Sequence, residues 1–240
     1  DRFAVGKITA PKDSVRLLKL RKKKADDMPK DSLFILNLTT QKMEKLARVK
    51  SFAVPSEKGS WIAIHFEKEL PKKDIPKDSI ATKSDSTGKA EKPKKTDGTK
   101  LLVRSFDGTK SWEFDRVKSY SFAPNGDFIQ YTLAEEEKAD NAAVYLLNLA
   151  TGDSKLVHEK MTTYSNLAFS PQSAMLAFIA TDDSLKAKKP IHTLYIYNVK
   201  KGEMVSQVEK SNLKMENSRI STDGSLRFSE DESRLFFGVA

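Results

Sequence analysis

The chain lacks cysteine, and several other ingredients of reactive centres are sparse. Without cysteine there is no disulfide bond, thiolate metal site or cysteine nucleophile. The absence of cysteine is compatible with both reducing and oxidising compartments. Its ten glycines stand singly, so the sequence has no glycine-rich phosphate loop. No apolar run reaches the roughly 20 residues of a membrane-spanning helix. These absences exclude several classes of enzyme and membrane protein.

Catalytic and metal-binding motifs are missing as well. No Gly-x-Ser-x-Gly pentapeptide, the nucleophile elbow of α/β-hydrolases, occurs in the sequence. The three histidines, His65, His158 and His192, have no metal-ligand spacing. We expect His65 within a strand, His158 at a strand end and His192 just before a strand. The sequence therefore assigns no catalytic, cofactor-binding or metal-binding residue to this chain.

Acidic side chains cluster at three places that the pattern assigns to loops. They are the pairs Asp26–Asp27 and Asp182–Asp183, and the run Glu135–Glu137 with Asp140. Adjacent loop carboxylates are usually solvated, so we expect charged turns here rather than calcium ligands. The two tryptophans fall in strand positions. We assign Trp61 to the core, and Trp112 to the core or to an interface.

Positive charge is in excess and is distributed unevenly. The chain has 42 lysines and arginines against 33 acidic residues, which gives a net charge of +9. Lysines concentrate at 19–24 and at 71–97, and the second stretch has few aliphatic residues. Such a segment buries too little apolar area to offset its ordering entropy, so we interpret 71–97 as a mobile, lysine-rich insertion. It contains no aromatic stacking platform, and nucleic acid is therefore not an expected partner.

Internal repetition carries most of the information. A first motif, Phe-(Ala/Ser)-Pro-x-(Gly/Ser)-x followed by alternating apolar residues, occurs at 49–64, 117–131, 164–178 and 225–237, with a weaker fifth copy at 8–18. Proline presets the turn, and glycine or asparagine tolerates a positive φ, so each copy predicts a β-hairpin. We expect Phe52, Phe122 and Phe169 of these hairpins to be buried between neighbouring units.

A second motif alternates with the first. It combines an apolar strand, an asparagine or serine exit, a turn and a polar strand, at 33–46, 101–114, 144–157 and 194–206. This pattern is also typical of β-hairpins. Two alternating hairpins give four strands per unit. Once insertions are removed, the repeat approaches the roughly 40–50 residues of a four-stranded propeller blade.

The predicted fold is therefore all-β, built from four-stranded antiparallel β-propeller blades. The units cover 1–48, 49–116, 117–163 and 164–224, and a partial unit follows at 225–240. This makes about four complete blades plus a partial one. Because a propeller closes into a ring to protect its strand edges, we expect a fragment of a larger propeller. An immunoglobulin-like array, the alternative, has no four-strand repeat.

Together these motifs resemble the blades of the prolyl oligopeptidase family of serine peptidases, over essentially the whole chain. The resemblance is closest to the long bacterial members, at 21–35, 48–52, 60–64 and 235–238. It implies a parent protein that hydrolyses peptide bonds or related esters with a Ser-Asp-His triad on a C-terminal α/β-hydrolase domain. No triad residue carries over, because that domain is absent from this chain. TolB-like and WD-like propellers share the general blade motif.

Two functions follow from this resemblance. In the first, the chain is the non-catalytic propeller region of a dipeptidyl- or acylaminoacyl-peptidase-like enzyme, and it gates or docks peptide substrate for the hydrolase domain. In the alternative, it is a stand-alone TolB-like or WD-like scaffold that binds a protein or peptide. No cofactor and no membrane is expected. The long bacterial relatives imply a periplasmic or secreted protein, and the cytoplasm stays open.

The insertions at 21–31, 71–97 and 182–191 each join the second strand of a unit to its third. Connections within a blade alternate between its two faces. We therefore expect all three insertions on one face, where long loops commonly meet a partner. The isolated chain is expected to show no peptidase or esterase turnover.

Overall fold

The structure is a computed structural model that describes residues 2–24, 27–68, 98–134, 142–183, 187–214 and 217–240. The lysine-rich insertion expected at 71–97, the run Glu135–Glu137 with Asp140, and Asp26 lie outside the described residues. The described elements are α1 (Lys12–Leu20), a 3₁₀ turn (Lys210–Asn212) and the strands β1 (Phe3–Ile8), β2 (Ser32–Asn37), β3 (Met43–Ala47), β4 (Val49–Ala53), β5 (Trp61–Phe66), β6 (Thr99–Ser105), β7 (Ser111–Phe122), β8 (Phe128–Leu133), β9 (Ala142–Asn148), β10 (Ser154–Met161), β11 (Thr163–Phe169), β12 (Met175–Thr181), β13 (Thr193–Asn198), β14 (Glu203–Val208), β15 (Ile220–Ser221), β16 (Arg227–Phe228), β17 (Leu235–Phe236) and β18 (Gly238–Val239). Within these ranges no helix has the length and apolar character to cross a bilayer.

Neighbouring strands pair in an antiparallel sense and follow the order of the chain. Strands β1–β3 form a three-stranded sheet, β4–β10 a seven-stranded sheet and β11–β14 a four-stranded sheet. In the last part of the chain β15 pairs with β18 and β16 with β17, which gives a terminal hairpin. Sequential antiparallel pairing of this kind is the connectivity of a β-meander.

The seven-stranded sheet consists of two four-stranded blades that share β7. Residues Ser111–Phe114 of β7 pair with β6, and Ser119–Phe122 pair with β8. Val117 stands opposite residues of both neighbours. Between the two parts, Arg116 adopts a left-handed conformation with φ 60°, and this bends the strand from one blade into the next.

An equivalent bend separates the first two sheets, where Arg48 has φ 59° between β3 and β4. The described chain thus contains blade 1 (β1–β3), blade 2 (β4–β7), blade 3 (β7–β10), blade 4 (β11–β14) and the terminal hairpin (β15–β18). These are the all-β propeller blades that the repeats predict. The predicted unit boundaries at 48, 116, 163 and 224 stay a prediction. The terminal hairpin begins at Ile220, whereas the predicted partial unit begins at 225.

The core lies between successive blades rather than within one sheet. One cluster joins blades 1 and 2, a second joins blades 2 and 3, a third joins blades 3 and 4, and a fourth joins blade 4 to the terminal hairpin. Phe52, Phe122 and Phe169 pack against three different clusters. They are half-buried, whereas we expected burial, because each lies near the turn end of the first strand of its blade.

The weak fifth copy of the first motif, at 8–18, is wrong as a hairpin. Residues Lys12–Leu20 form α1 instead. Pro11 stands at the N-cap with φ −54°, so it tolerates the start of a helix but interrupts a strand. Asp13 in the first turn and Lys19 in the last complement the helix dipole. Blade 1 consequently has three strands within the described residues.

Connectivity gives the blades two different faces. Second strands connect to third strands on one face, which we call the long-connection face. It carries α1 and the described residues of the connections that lead into β2 and β13, at 21–24, 27–31, 182–183 and 187–191. The other face, the turn face, carries tight turns. The Arg48 and Arg116 bends share the long-connection face, because their carbonyl oxygens accept hydrogen bonds from Glu67 N and Ala134 N, both at 2.8 Å. The insertion expected at 71–97 follows β5 but lies outside the described residues.

Candidate functional site

His65 is held in the core by hydrogen bonds. It lies in β5, as expected, and is 2% exposed. Its Nε2 lies 2.8 Å from Thr99 Oγ1 and 2.9 Å from the Val117 carbonyl oxygen. Because Thr99 Oγ1 donates its proton to the Phe66 carbonyl at 2.6 Å, Nε2 must carry the imidazole proton and donate it to Val117. Burial lowers the pKa of His65, so this neutral ring fastens β5 to β7.

His158 belongs to an aromatic contact between blades 3 and 4. It lies inside β10 rather than at its end, and its Nδ1 is 2.8 Å from the Tyr164 hydroxyl. Its ring centroid lies 4.5 Å from that of Tyr195 and 5.8 Å from that of Phe178. Burial lowers the pKa of His158 and raises that of Tyr164, so both groups are neutral around pH 7. This histidine packs two blades together.

Two further predicted candidates lie at the connection between β12 and β13. His192 directly precedes β13, as expected. Asp183 Oδ2 accepts the Ile191 N–H at 2.6 Å, which ties the connection between β12 and β13 to itself. No group of three or more potential metal-ligating side chains occurs among the residues that the structure describes. The predicted candidates that lie within the described ranges are therefore not brought together into one site.

The two tryptophans pack against each other near the turn face. Their ring centroids are 5.3 Å apart, and both side chains lie against the cluster between blades 2 and 3. A Cβ added at Gly152 would lie 2.8 Å from Trp112 Nε1, so the turn after β9 closes directly over this ring. Trp61 and Trp112 are thus half-buried core residues.

Several pockets of the described residues lie between neighbouring blades, and three of them bear on function. The first, about 760 Å³, separates β1 from blade 2 near the turn face, and both apolar side chains such as Phe3 and Phe52 and the charged side chains of Arg2, Asp107 and Lys110 line it. A second, about 580 Å³, lies on the long-connection face. Arg48 and Lys68 line it together with the carboxylates of Glu67 and Glu113. Mixed charge of this kind suits a polar contact surface rather than a catalytic centre.

The third pocket, about 270 Å³, lies between the first strands of blades 3 and 4. Most of its lining residues carry a polar group, with Ser119, Ser121, Gln130, Ser165 and Asn166 among them, and Leu167 and the rings of Tyr120 and Tyr164 add apolar surface. Sequence reasoning missed this pocket. The available signal was a glutamine in the apolar run of β8, because an uncharged polar residue inside a buried strand requires a partner.

Comparison with known proteins bears on the fold. No family model and no curated protein matches the chain. Among solved structures, an oligogalacturonate lyase in complex with manganese matches 98% of the chain at 15% identity, with a TM-score of 0.53. Hydrazine synthase of Kuenenia stuttgartiensis matches 86% at 9% identity and a TM-score of 0.50. The β-propeller domain of the Trilobed protease from Pyrococcus furiosus matches 71% at 16% identity and a TM-score of 0.44.

At these identities the likeness concerns the fold alone. The chain covers 58%, 55% and 44% of those three structures, so it spans about half the length of the proteins that it matches. The blades described above, together with this likeness, make the chain a β-propeller scaffold.

Proposed function

We propose that this chain is the propeller region of a serine peptidase of the prolyl oligopeptidase kind. In this role it docks or gates peptide substrate for a hydrolase domain carried by the same parent protein. The observation that carries the proposal is the difference between the two faces. Short turns lie at one face, whereas α1 and the described residues of the connection that leads into β13 lie at the other. Long connections gathered on one face are where a scaffold meets another domain.

Helix α1 gives this face an apolar surface that a second domain would cover. None of its residues is buried. Leu17 is 54% exposed and Leu20 is 70% exposed. Lys19, Arg21 and Lys22 surround them with positive charge. Exposed apolar side chains rimmed by charge are typical of contacts between domains. The proposed partners are accordingly the hydrolase domain and the peptide, and the proposed location is the periplasm or the outside of the cell.

The sequence is consistent with a propeller that carries no catalytic residue of its own. The chain has no nucleophile elbow, and His65 and His158 serve packing and hydrogen bonding, so the reaction would take place on the other domain. The test is to sequence the gene beyond the codon for Ala240. A Gly-x-Ser-x-Gly motif followed by aspartate and histidine supports the proposal. A stop codon directly after Ala240 contradicts it.

A second candidate is a stand-alone TolB-like or WD-like binding scaffold. The pocket of about 760 Å³ beside β1 favours it, because this pocket could accept a partner without any catalytic domain. A turnover assay on the purified chain separates both candidates from an enzyme. We expect no hydrolysis of chromogenic peptides or esters, and hydrolysis that a serine-directed inhibitor abolishes would contradict both.

A further inference from the structure

Strand β1 forms an edge of the three-stranded sheet in blade 1. It pairs with β2 on one side, and no described strand pairs with it on the other. The second strands of blades 2, 3 and 4, which are β5, β8 and β12, each pair on both sides. Strand β1 corresponds to them, because the long connection to a third strand follows it. Within the described residues, blade 1 therefore has no counterpart of the first strands β4, β7 and β11.

The hydrogen bonds of blade 1 show which groups of β1 lie on this edge. Leu38 N donates to Arg2 O at 2.8 Å, and the register continues that alternation along β1. The even-numbered residues of the strand thus bond to β2, whereas the N–H and C=O groups of Phe3, Val5 and Lys7 point away from it. These groups, which we call the free edge, have no backbone partner among the described residues. Such an edge is a template for the main chain of another extended segment.

The pocket of about 760 Å³ lies beside the free edge. Phe3 and Val5 line it from β1, and Phe52 lines it from β4, the first strand of the next blade. The pocket is therefore next to the position that a first strand of blade 1 would take. The rings of Phe3 and Phe106 stack with their centroids 4.9 Å apart and give it an apolar wall. Its volume falls within the roughly 300–1,000 Å³ of ligand-binding clefts.

The two strands beside this pocket are already held in place. Lys7 Nζ donates to Asp31 Oδ2 and to the carbonyl oxygen of Lys50 on β4, both at 3.1 Å. Phe3 and Phe52 pack against the same cluster between blades 1 and 2. A site that is preorganised in this way loses less conformational entropy when a ligand binds.

The first strands of the following blades show how a strand sits at this position. Strands β4, β7 and β11 each run antiparallel to the second strand of their blade. Ser51 on β4 faces blade 3, where its Oγ lies 3.0 Å from the Tyr120 hydroxyl, and Ser121 on β7 lines the pocket between blades 3 and 4. Small side chains thus face the next blade, whereas larger ones such as Phe52 face the previous blade. The same pattern describes an extended peptide in which small and apolar side chains alternate.

We propose that the free edge of β1 binds an extended peptide as an additional antiparallel strand. Main-chain donors and acceptors that alternate along one edge match the backbone of a polypeptide, and this is how peptides add to exposed sheet edges. The peptide residues that bond to Phe3, Val5 and Lys7 direct their side chains toward blade 2. This proposal rests on the proposed function, which brings peptides to the propeller. It adds the place and the conformation in which a peptide binds.

The first experiment measures amide hydrogen exchange of the chain with and without a probe peptide. The probe is Val-Lys-Ser-Phe-Ala-Val, acetylated and amidated, with the sequence of residues 49–54, because β4 pairs in this way with β5. We expect a Kd on the order of 0.1–1 mM. At saturation, exchange at Phe3, Val5 and Lys7 should slow by about tenfold or more. Gly6 bonds to β2 and should be protected with or without the probe.

Two N-methylated probes separate main-chain pairing from apolar binding. Ser51 and Ala53 direct their N–H groups to β5 in the register of blade 2, so the serine and alanine of the probe should direct theirs to β1. N-methylation of both should weaken binding by about tenfold or more, because it removes the donors. N-methylation of the lysine and phenylalanine of the probe is the matched control. Their N–H groups point away from β1, and the Kd should stay within about twofold.

A variant of the chain tests the same edge from the other side. Val5→Pro removes the N–H at the centre of the free edge but no hydrogen bond to β2, a position where an edge strand tolerates proline. It should weaken binding of the unmodified probe by about tenfold. Val5→Ala shortens the side chain and keeps the N–H, so its Kd should stay within about threefold. If Val5→Pro does not fold, the two N-methylated probes decide on the unchanged chain.

Several results would overturn the proposal. Equal affinity of the two N-methylated probes rejects pairing with the main chain of β1. Protection of Phe3, Val5 and Lys7 before the probe is added means that the edge is already occupied. Sedimentation as a dimer then assigns the edge to a second copy, and sedimentation as a monomer assigns it to another segment of the same polypeptide.

Other results separate this inference from the proposed function. If the probe binds but leaves the amides of the free edge unprotected, this inference fails while the docking function stands. The same holds if those amides are protected without probe only in a longer form of the protein, because a strand of that form then occupies the edge. If the chain binds neither this probe nor longer peptides, both are contradicted.

Discussion

At the scale of single residues, glycine stabilises the turns in which one residue must adopt a left-handed conformation. The exits of β2, β9 and β13 are built alike: Asn37, Asn148 and Asn198 accept backbone N–H groups two or three residues further on. Gly152 and Gly202 then take φ 85° and 72°. In the first hairpin Gln41 occupies that position with φ 57°. A side chain in this conformation costs roughly 1–2 kcal/mol.

Gln41→Gly should therefore stabilise the chain. The removed strain exceeds the added entropy of the unfolded chain, and we expect a net gain of about 0.5–1 kcal/mol in urea unfolding. Gly152→Ala is the reverse control and should destabilise, because it adds left-handed strain and its Cβ would press against the Trp112 ring. Lower stability of Gln41→Gly would show that the Gln41 side chain contributes more than its backbone costs.

The buried imidazoles give stability a pH dependence with a definite sign. Burial lowers the pKa of both His65 and His158. The unfolded chain then binds more protons than the folded one near pH 6. The contribution of the two rings is complete above the unfolded pKa of about 6.5, and it is lost as pH falls through the folded values.

We expect the urea concentration at the unfolding midpoint to decrease as the pH is lowered from 7.5 to 5. His158→Phe keeps an aromatic ring against Tyr195 but removes one titrating group, so its midpoint should vary less with pH over that range. A midpoint in His158→Phe that falls as steeply as in the parent chain would mean that this histidine does not contribute.

At the scale of elements, the continuous strand β7 is a point of close backbone approach. A Cβ added at Gly98 would collide with the carbonyl oxygen, carbonyl carbon and Cα of Arg116. That backbone has little freedom to move, because Arg116 is left-handed and its carbonyl accepts from Ala134 N. Gly98 thus permits β6 to start beside the bend that links blades 2 and 3.

Gly98→Ala should accordingly lower the free energy of unfolding by about 2–3 kcal/mol. Gly59→Ala is its matched control. No heavy atom lies within 4 Å of a Cβ at Gly59, so this substitution should change stability by less than about 1 kcal/mol, in the stabilising direction. The two midpoints are compared by thermal and urea unfolding. Equal effects would mean that the backbone at Arg116 can yield.

The sequence predicted those elements whose determinants lie within a few consecutive residues, and it missed those that depend on residues far apart in the chain. The exits with asparagine followed four residues later by glycine, at 148–152 and 198–202, predicted the hairpins of β9 and β13 correctly, because their turn chemistry lies within a few residues. The helix at Lys12–Leu20 was missed, since Pro11 was read as a hairpin turn. The continuity of β7 through Arg116 was also missed, because a left-handed arginine has no clear sequence signal. The polar pocket at Gln130 depends on residues brought together from β7, β8 and β11, so no local pattern could locate it.

At the scale of the whole molecule, the central strands bury both of their faces, and each face belongs to a different inter-blade core. In β12, Phe178 faces the cluster shared with blade 3, and Ile179 faces the cluster shared with the terminal hairpin. Both side chains are 0% exposed. This explains why such strands read as continuous apolar runs rather than alternating ones. It also implies that each blade stabilises mainly its immediate neighbours, as in stacked repeats.

Two adjacent substitutions test that implication. Phe178→Ala and Ile179→Ala should cost about 3–5 and 2–4 kcal/mol, respectively, from lost burial and the cavity left behind. Their effects on amide hydrogen exchange should diverge. Phe178→Ala should reduce protection in β9 and β11, whereas Ile179→Ala should reduce it in the terminal hairpin. Strands β1–β3 pack against a different cluster and should keep their protection in both variants, because no cluster joins them to blade 4 among the described residues. Equal loss of protection in every blade would instead mean that the chain unfolds as one cooperative unit, with the inter-blade cores coupled along its whole length.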